Sequence, residues 1–261
     1  MKNELLHIGS FTVYGYGLMI AIGIVFCYYT LEFRAYKKKL DQEKVFGLFV
    51  TCAIGGFAFA KIMFWITEWK NFLRNPMVYL GNPADGFVVF GGIIGGILCG
   101  LVYCKIRKME FLDYFDLAMP SIALAQGFGR LGCFLAGCCY GKTTDSLLAV
   151  TFHESEFAPN GVPLIPTQIY SSLLDFCHFF LLVYLAKKVK KSGQVAACYL
   201  IFYSLGRFVL EFFRGDLERG SVGALSTSQF IGIFTFGAGV LLYLGIAKFG
   251  RDVKEKEREK V

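Results

Sequence analysis

Charge is scarce in this chain. Asp, Glu, Lys and Arg make up 18% of 261 residues against 55% hydrophobic ones, and the mean hydropathy is +0.52. A soluble domain of that length could not bury so much apolar surface, which excludes a soluble globular protein and places the chain in lipid. The net charge is +7, yet the basic residues fall in short clusters between apolar stretches instead of along one face, so nucleic acid is excluded as a partner. The pattern of a cleavable signal peptide is missing as well. The first apolar run, Phe11 to Phe33, is too long for a signal h-region and has neither a basic start nor a small-residue cleavage site, so it reads as a first span. No strand and helix pair surrounds the glycines between Gly91 and Gly100, which removes a dinucleotide-binding reading. No inverted repeat is visible, which weighs against a secondary transporter.

What is present is a series of apolar stretches at 14–33, 45–66, 87–104, 111–128, 166–186, 195–213 and 225–247, each near the ~20 residues a helix needs to cross a bilayer. The expected fold is an all-α polytopic membrane protein of about seven transmembrane helices. Arg34, Lys37, Lys38, Lys39 and Lys44 follow the first stretch, Lys105, Arg107 and Lys108 the third, Lys187, Lys188, Lys190 and Lys191 the fifth, and a charged tail the seventh. The positive-inside rule then puts the amino terminus outside and the carboxyl terminus in the cytoplasm. Residues 1–247 are expected to form one transmembrane domain, with a small outer head at about 129–165 between spans four and five, and 248–261 a cytoplasmic tail. Gly129, Gly132, Gly137, Gly141, Pro159, Gly161 and Pro163 predict a repeatedly bending loop for that head. In span three, Gly91, Gly92, Gly95, Gly96 and Gly100 form overlapping small-residue ladders. These suit close helix packing or, alternatively, a glycine-lined surface for a lipid headgroup.

Arg207, Glu211 and Arg214 stand at i, i+4 and i+7, on one face of one helix. A charge at the centre of such a helix costs about 2.5–3.5 kcal/mol and needs a reason. An internal Arg207–Glu211 pair is one reason; arginines holding an anionic headgroup, whose phosphate oxygens match the guanidinium fork, are the other. Arg130, among Gly127, Gly129 and Gly132, adds a second outer arginine, which could instead snorkel to the interface. Asp116, Gln126, Gln168, Asp175 and His178 imply a polar interior. Lys61 lies close enough to Trp65 and Trp69 to snorkel outward. Cys133, Cys138 and Cys139 are spaced C-x4-C-C, which fits no usual zinc spacing, so no metal is expected. A disulfide or a set of reduced thiols held for chemistry are both open for these cysteines.

In order and spacing, these residues resemble the prolipoprotein diacylglyceryl transferases, bacterial inner-membrane enzymes. The resemblance rests on Tyr16-Gly-Leu-Met, on Gly91-Gly-Ile-Ile-Gly, on Asp116 followed by Pro120, and on Gly129-Arg-Leu-Gly-Cys-Phe-Leu-Ala-Gly-Cys-Cys-Tyr-Gly141. Pro166-Thr-Gln-Ile-Tyr170 and the segment from Tyr203 to Asp216 extend it. It implies transfer of a diacylglyceryl group from phosphatidylglycerol to the cysteine thiol of a lipoprotein precursor peptide, with glycerol phosphate released and no cofactor. It implies that Arg130 and Arg207 act on the phosphate, and that Tyr16 and Glu211 are candidate bases. Arg214, Tyr203, Gln168, Gly91, Gly92 and Gly141 would then line the lipid site. The chain departs from the family pattern at Cys133, Ala136 and Cys138, where two asparagines and a glutamate are usual, and at Phe90 and Ile165, where histidines are usual. Two other functions fit the same residues: thiol or disulfide chemistry at Cys133, Cys138 and Cys139, and binding or transport of a lipid or small anion. In either case the chain is expected in the bacterial plasma membrane, among membrane lipid.

Overall fold

A computed structural model describes residues 4–8, 11–81, 86–216 and 220–250. An antiparallel hairpin opens it, pairing β1 (Glu4–Ile8) with β2 (Phe11–Tyr14). There follow α1 (Gly15–Lys37), α2 (Gln42–Thr67), the short helices α3 (Trp69–Arg74) and α4 (Pro76–Gly81), and α5 (Val89–Ile106). Next, α6 (Phe111–Ala136) leads through the paired strands β3 (Val150–Thr151) and β4 (Pro163–Leu164) to α7 (Thr167–Leu185) and α8 (Gln194–Glu211). A second small hairpin, β5 (Ser221–Val222) with β6 (Leu225–Ser226), precedes α9 (Thr227–Phe249).

Helices α1, α2, α5, α7 and α9 are long and apolar enough to cross a membrane, so the chain is a mostly helical, multi-pass membrane protein. Their outward residues, such as Val25, Ile54, Val102, Phe180 and Leu241, are exposed and apolar, as a lipid solvent requires. Helices α6 and α8, with 26 and 18 residues, are less apolar because they carry Asp116, Gln126 and Arg130, and Arg207 and Glu211. Contacts divide the chain into two compact units, Glu32–Tyr114 and Met1–Leu31 with Phe115–Val261. The charged tail beyond residue 250 lies outside the described residues.

In the unit Glu32–Tyr114, α2 and α5 pack along their small residues. A Cβ placed on Gly91 would stand 2.6 Å from both the Phe59 carbonyl oxygen and Met63 Cβ, and one on Gly92 would stand 3.4 Å from the Gly56 oxygen. Close approach of two helix backbones is the use these glycines serve here. The Asp41 side chain caps α2, accepting from the Glu43 and Lys44 backbone N–H groups at 3.0 and 3.3 Å. The Lys61 ammonium sits over the rings of Phe64 and Phe87, 5.5 and 5.3 Å from their centroids, which lowers the cost of a cation on an apolar helix.

In the other unit, the core is built from Met119, Ala123, Leu182, Val195, Ala196 and Tyr199. Asp116 reaches from α6 to the start of α8, accepting from the N–H groups of Gly193 at 2.7 Å and Ala196 at 2.8 Å. An acidic side chain there satisfies orphan helix donors and meets the positive end of the helix dipole. Thr30 on α1 donates to the Ser121 hydroxyl on α6 at 2.9 Å. At the start of α9, Ser226 and Gln229 form a reciprocal capping box.

Two local expectations change. The fourth apolar helix does not stop near residue 128; α6 runs on to Ala136, so Arg130, Gly132 and Cys133 are helical and the loop begins at Gly137. Gly132 is needed for packing, not for a bend: a Cβ there would lie 3.2 Å from the Tyr16 backbone oxygen on α1. The segment after Thr67, unassigned from sequence, holds α3 and α4. The rest of the loop before α7 is tied down by β3–β4 and a cluster of Phe152, Ala158 and Leu164, with Phe134 packed against it.

Candidate functional site

The carboxyl end of α6 turns back on itself. Gly137 and Cys139 have φ of +78° and +62°, the left-handed region that a cysteine adopts only when its surroundings impose it. The Cys138 N–H donates to the Cys133 carbonyl at 3.1 Å. Helix α7 then pins the turn from one side: Gln168 Nε2 donates to the Cys138 carbonyl and Thr167 Oγ1 to the Cys139 carbonyl, each at 2.8 Å. The strand-like backbone beyond is shared three ways. The Gly141 N–H donates to the Ile165 carbonyl at 3.0 Å, the Lys142 N–H to the Phe213 carbonyl at 2.9 Å, and the Gly215 N–H to the Tyr140 carbonyl at 3.1 Å. A Cβ on Gly141 would come within 2.5 Å of the Ile165 oxygen, so only glycine fits where these segments cross.

This junction brings the end of α6, the start of α7 and the end of α8 around one cavity lined by Arg130, Cys139, Thr167, Gln168, Ser171, Arg207, Leu210 and Arg214. Two of its three guanidinium groups are held by carboxylates. Arg207 ion-pairs with Glu211 at 2.7 Å and donates to Ser228 on α9 at 2.9 Å. Arg214 grips Asp216 through Nε at 2.8 Å and Nη2 at 2.5 Å, and stands 4.0 Å from Glu211. Burial is the largest influence and works to lower the Arg214 pKa, but the Asp216 hydrogen bond, the charges of Cys139 and Asp216 and a hydrogen bond with Cys139 together outweigh it and hold the group above its ordinary value. Arg130 makes no ion pair or hydrogen bond among the described residues, and it feels the nearby Tyr203, Cys133, Asp175 and Cys139 only through their charges. Asp175 in turn feels both Arg130 and Arg207. The Arg207–Glu211 pair expected from spacing is present, and it is one part of a larger cationic arrangement.

The other sequence candidates distribute unevenly. Gln168 is 1% exposed, and its Oε1 has no hydrogen-bond partner among the described residues, so the cavity holds an acceptor as well as cations. Tyr203 stacks on Tyr199 at 5.7 Å, and Tyr199 on His178 at 5.2 Å, while the Tyr199 hydroxyl donates to Gln126 at 2.9 Å. Tyr16 packs beside Gly132 and lies in the field of Arg130 and the three cysteines. Gly91 and Gly92 belong to the other compact unit, against α2. Sequence reasoning passed over Thr167, Ser171, Asp216 and Ser228 as site residues. Asp216 could have been found two positions after an arginine, but Ser228, isolated at the start of α9, leaves no sequence signal.

The nine cysteines are thiols, with no disulfide between them. The sulfurs of Cys133, Cys138 and Cys139 nevertheless converge, all within 4.8 Å of one another. Cys138 Sγ donates to the Cys133 carbonyl at 3.7 Å. Its thiol pKa is driven well up, first by hydrogen bonding with the Cys133 and Cys139 sulfurs and then by burial.

A family model described as prolipoprotein diacylglyceryl transferase matches residues 3–245. The chain is 44% identical over 243 residues to a phosphatidylglycerol–prolipoprotein diacylglyceryl transferase of Clostridium tetani, covering 93% of this chain and 97% of that protein. It is 43% identical over 244 residues to phosphatidylglycerol–prolipoprotein diacylglyceryl transferase 2 of Clostridium perfringens, covering 93% and 94%. It is also 32% identical over 215 residues to the Staphylococcus aureus protein of that function, covering 80% and 77%.

Proposed function

Because the chain belongs to the prolipoprotein diacylglyceryl transferase family, we propose that it moves the diacylglyceryl group of phosphatidylglycerol onto the cysteine thiol of a prolipoprotein, releasing glycerol phosphate. The observation that carries this reading is the convergence of Arg130, Arg207 and Arg214 on one cavity beside the unsatisfied acceptor of Gln168. Arg130 and Arg207 hold the phosphate of the lipid, with Arg214 completing the cationic wall. Gln168 Oε1 accepts from a hydroxyl of the headgroup glycerol.

In the reaction the acceptor cysteine gives its thiol proton to water, its sulfur attacks the glyceryl carbon, the S–C bond forms as the C–O bond to phosphate breaks, and the bonding pair leaves on the phosphate oxygen. Negative charge grows on that oxygen as the bond lengthens. Guanidinium groups already oriented there stabilise the transition state more than the bound lipid. Glu211 acts as a positioning residue for Arg207, since its carboxylate is committed to that ion pair, and Asp216 does the same for Arg214. Tyr16, next to Arg130 and the thiol cluster, and Tyr203, on its aromatic stack, shape the acceptor side. Gly141 supplies the backbone crossing that brings the three segments together, and Gly91 and Gly92 contribute through the packing of α5. No organic cofactor enters this scheme, and neither does nucleic acid.

The same reading gives the topology. All seven apolar stretches become spans of one transmembrane domain, α6 and α8 included, with the residues from Gly137 to Ile165 forming an outer head. The amino terminus lies outside and the carboxyl terminus in the cytoplasm of a bacterial plasma membrane, as the clusters after α1, α5 and α7 favour.

The test is transfer of labelled diacylglycerol from phosphatidylglycerol to a lipobox peptide by the purified protein in lipid nanodiscs. A thioether-linked diacylglyceryl peptide with stoichiometric glycerol phosphate is expected. Folded protein that binds phosphatidylglycerol but forms no such product would overturn the proposal.

A further inference from the structure

The turn after α6 assembles three sulfurs whose C-x4-C-C spacing fits no usual zinc pattern. Cys133 comes from the last turn of α6, Cys138 and Cys139 from the reversal behind it, and the reversal is fixed by two left-handed residues. The carbonyls of Cys138 and Cys139 are each hydrogen-bonded by an α7 side chain, so the backbone that carries two of the sulfurs is held in place. The sulfurs lie within 4.8 Å of one another. A tetrahedral zinc ion with Zn–S bonds of about 2.3 Å sets its sulfurs about 3.8 Å apart, so small χ1 rotations close the gap.

Charge points the same way. A divalent cation neutralises adjacent thiolates that would otherwise repel one another. A zinc ion with three thiolates carries one net negative charge, and the Arg130 and Arg214 guanidinium groups stand in the electrostatic field of Cys139 to balance it. An all-sulfur donor set selects zinc over the hard cations magnesium and calcium. Three protein ligands leave one position open, the arrangement of a catalytic zinc and not of a structural one.

We propose that Cys133, Cys138 and Cys139 form a three-thiolate site for Zn2+, whose open fourth position takes the thiol of the acceptor cysteine. The second half rests on the transferase reading; the metal site stands without it. On coordination the acceptor thiol releases its proton to water and becomes a zinc-bound thiolate at neutral pH. That sulfur attacks the glyceryl carbon, and the electron pair of the breaking C–O bond departs with the phosphate oxygen facing the arginines. The product thioether, a weaker ligand than a thiolate, leaves the metal. Nothing is oxidised or reduced. The scheme supplies thiol activation at a site where the Glu211 carboxylate is held by Arg207.

The full chain in nanodiscs, stripped with a chelator, is titrated with Zn2+ and separately with Co2+ as a spectroscopic probe. One tightly bound equivalent is expected, with sulfur-to-cobalt charge-transfer absorption. Both signals should be lost in C133S/C138S/C139S and kept in Cys177→Ser, whose thiol is exposed on α7. Addition of a lipobox peptide should shift the cobalt d–d bands, while its Cys→Ser version should not. Wild-type protein that shows no sulfur charge transfer overturns the site, whether or not the triple variant folds. Stripping should lower transfer at neutral pH by about 100-fold, the scale of a lost general base, with recovery on Zn2+. Undiminished transfer by stripped protein overturns the activation step. Stoichiometric metal with no transfer under any condition supports the site and counts against the transferase reading alone.

Discussion

The α2–α5 pair and the α6–α7–α8 junction solve different problems with the same small residue. Between α2 and α5, glycine brings two apolar backbones together: Gly91 lies against Phe59 and Ala60, and Gly95 against Gly55 and Phe59. Nothing in that interface asks for a ligand. At the junction, Gly141 lets three irregular segments cross through backbone hydrogen bonds, and the space beside them is lined by three arginines. The first region is thus a packing device and the second a binding device, although both look in sequence like glycine-rich motifs of one membrane protein.

That contrast can be broken by substitution. Gly141→Val should be the most damaging, because its side chain collides with the Ile165 and Phe213 carbonyl oxygens. A loss at or above the upper end of the ~1–3 kcal/mol typical of overpacking is expected, read as a lowered Tm together with loss of phosphatidylglycerol binding. Gly91→Leu should cost a similar ~1–3 kcal/mol at the α2–α5 interface, but molecules that remain folded should transfer at the wild-type rate. If specific activity per folded molecule fell as well, the ladder would be more than packing. Asp116→Ala removes the cap of α8 and should cost about 0.5–2 kcal/mol, visible as a lowered Tm with lipid affinity unchanged. The smallest effect concerns reactivity. Since the Cys138 thiol is raised above its ordinary pKa, it stays protonated at neutral pH in metal-free protein. Its alkylation should then lag behind that of free cysteine and catch up only as pH rises past the usual thiol range; equal rates at neutral pH would contradict the shift.

Much of the fold could be read before any coordinates, because long apolar runs and clustered lysines follow directly from the lipid solvent. The i, i+4 spacing likewise identified the Arg207–Glu211 pair. What could not be read depended on contacts distant in sequence. Asp116 looked like one of several polar residues in an interior, and only the position of Gly193 and Ala196 turns it into a helix cap. Gly129 and Gly132 suggested a bend because glycine favours turns, but α6 continues through both, with Gly132 packed against Tyr16 of α1 and Gly129 facing open space. The convergence of Cys133, Cys138 and Cys139 depends on left-handed φ values at Gly137 and Cys139, and the cysteine at the second of these sends no such signal. Ser228 reaches Arg207 from another helix and left no trace in the motif.

The most direct test of the central claim, that the arginine-lined cavity carries the departing phosphate, is the single-turnover transfer rate of Arg130→Ala and Arg207→Ala beside wild type at saturating phosphatidylglycerol, in preparations of matched Tm. The account predicts a loss of about 100- to 1,000-fold for each, the scale of removing one preorganised donor from a developing negative charge. Transfer within a few-fold of wild type in either variant would contradict it.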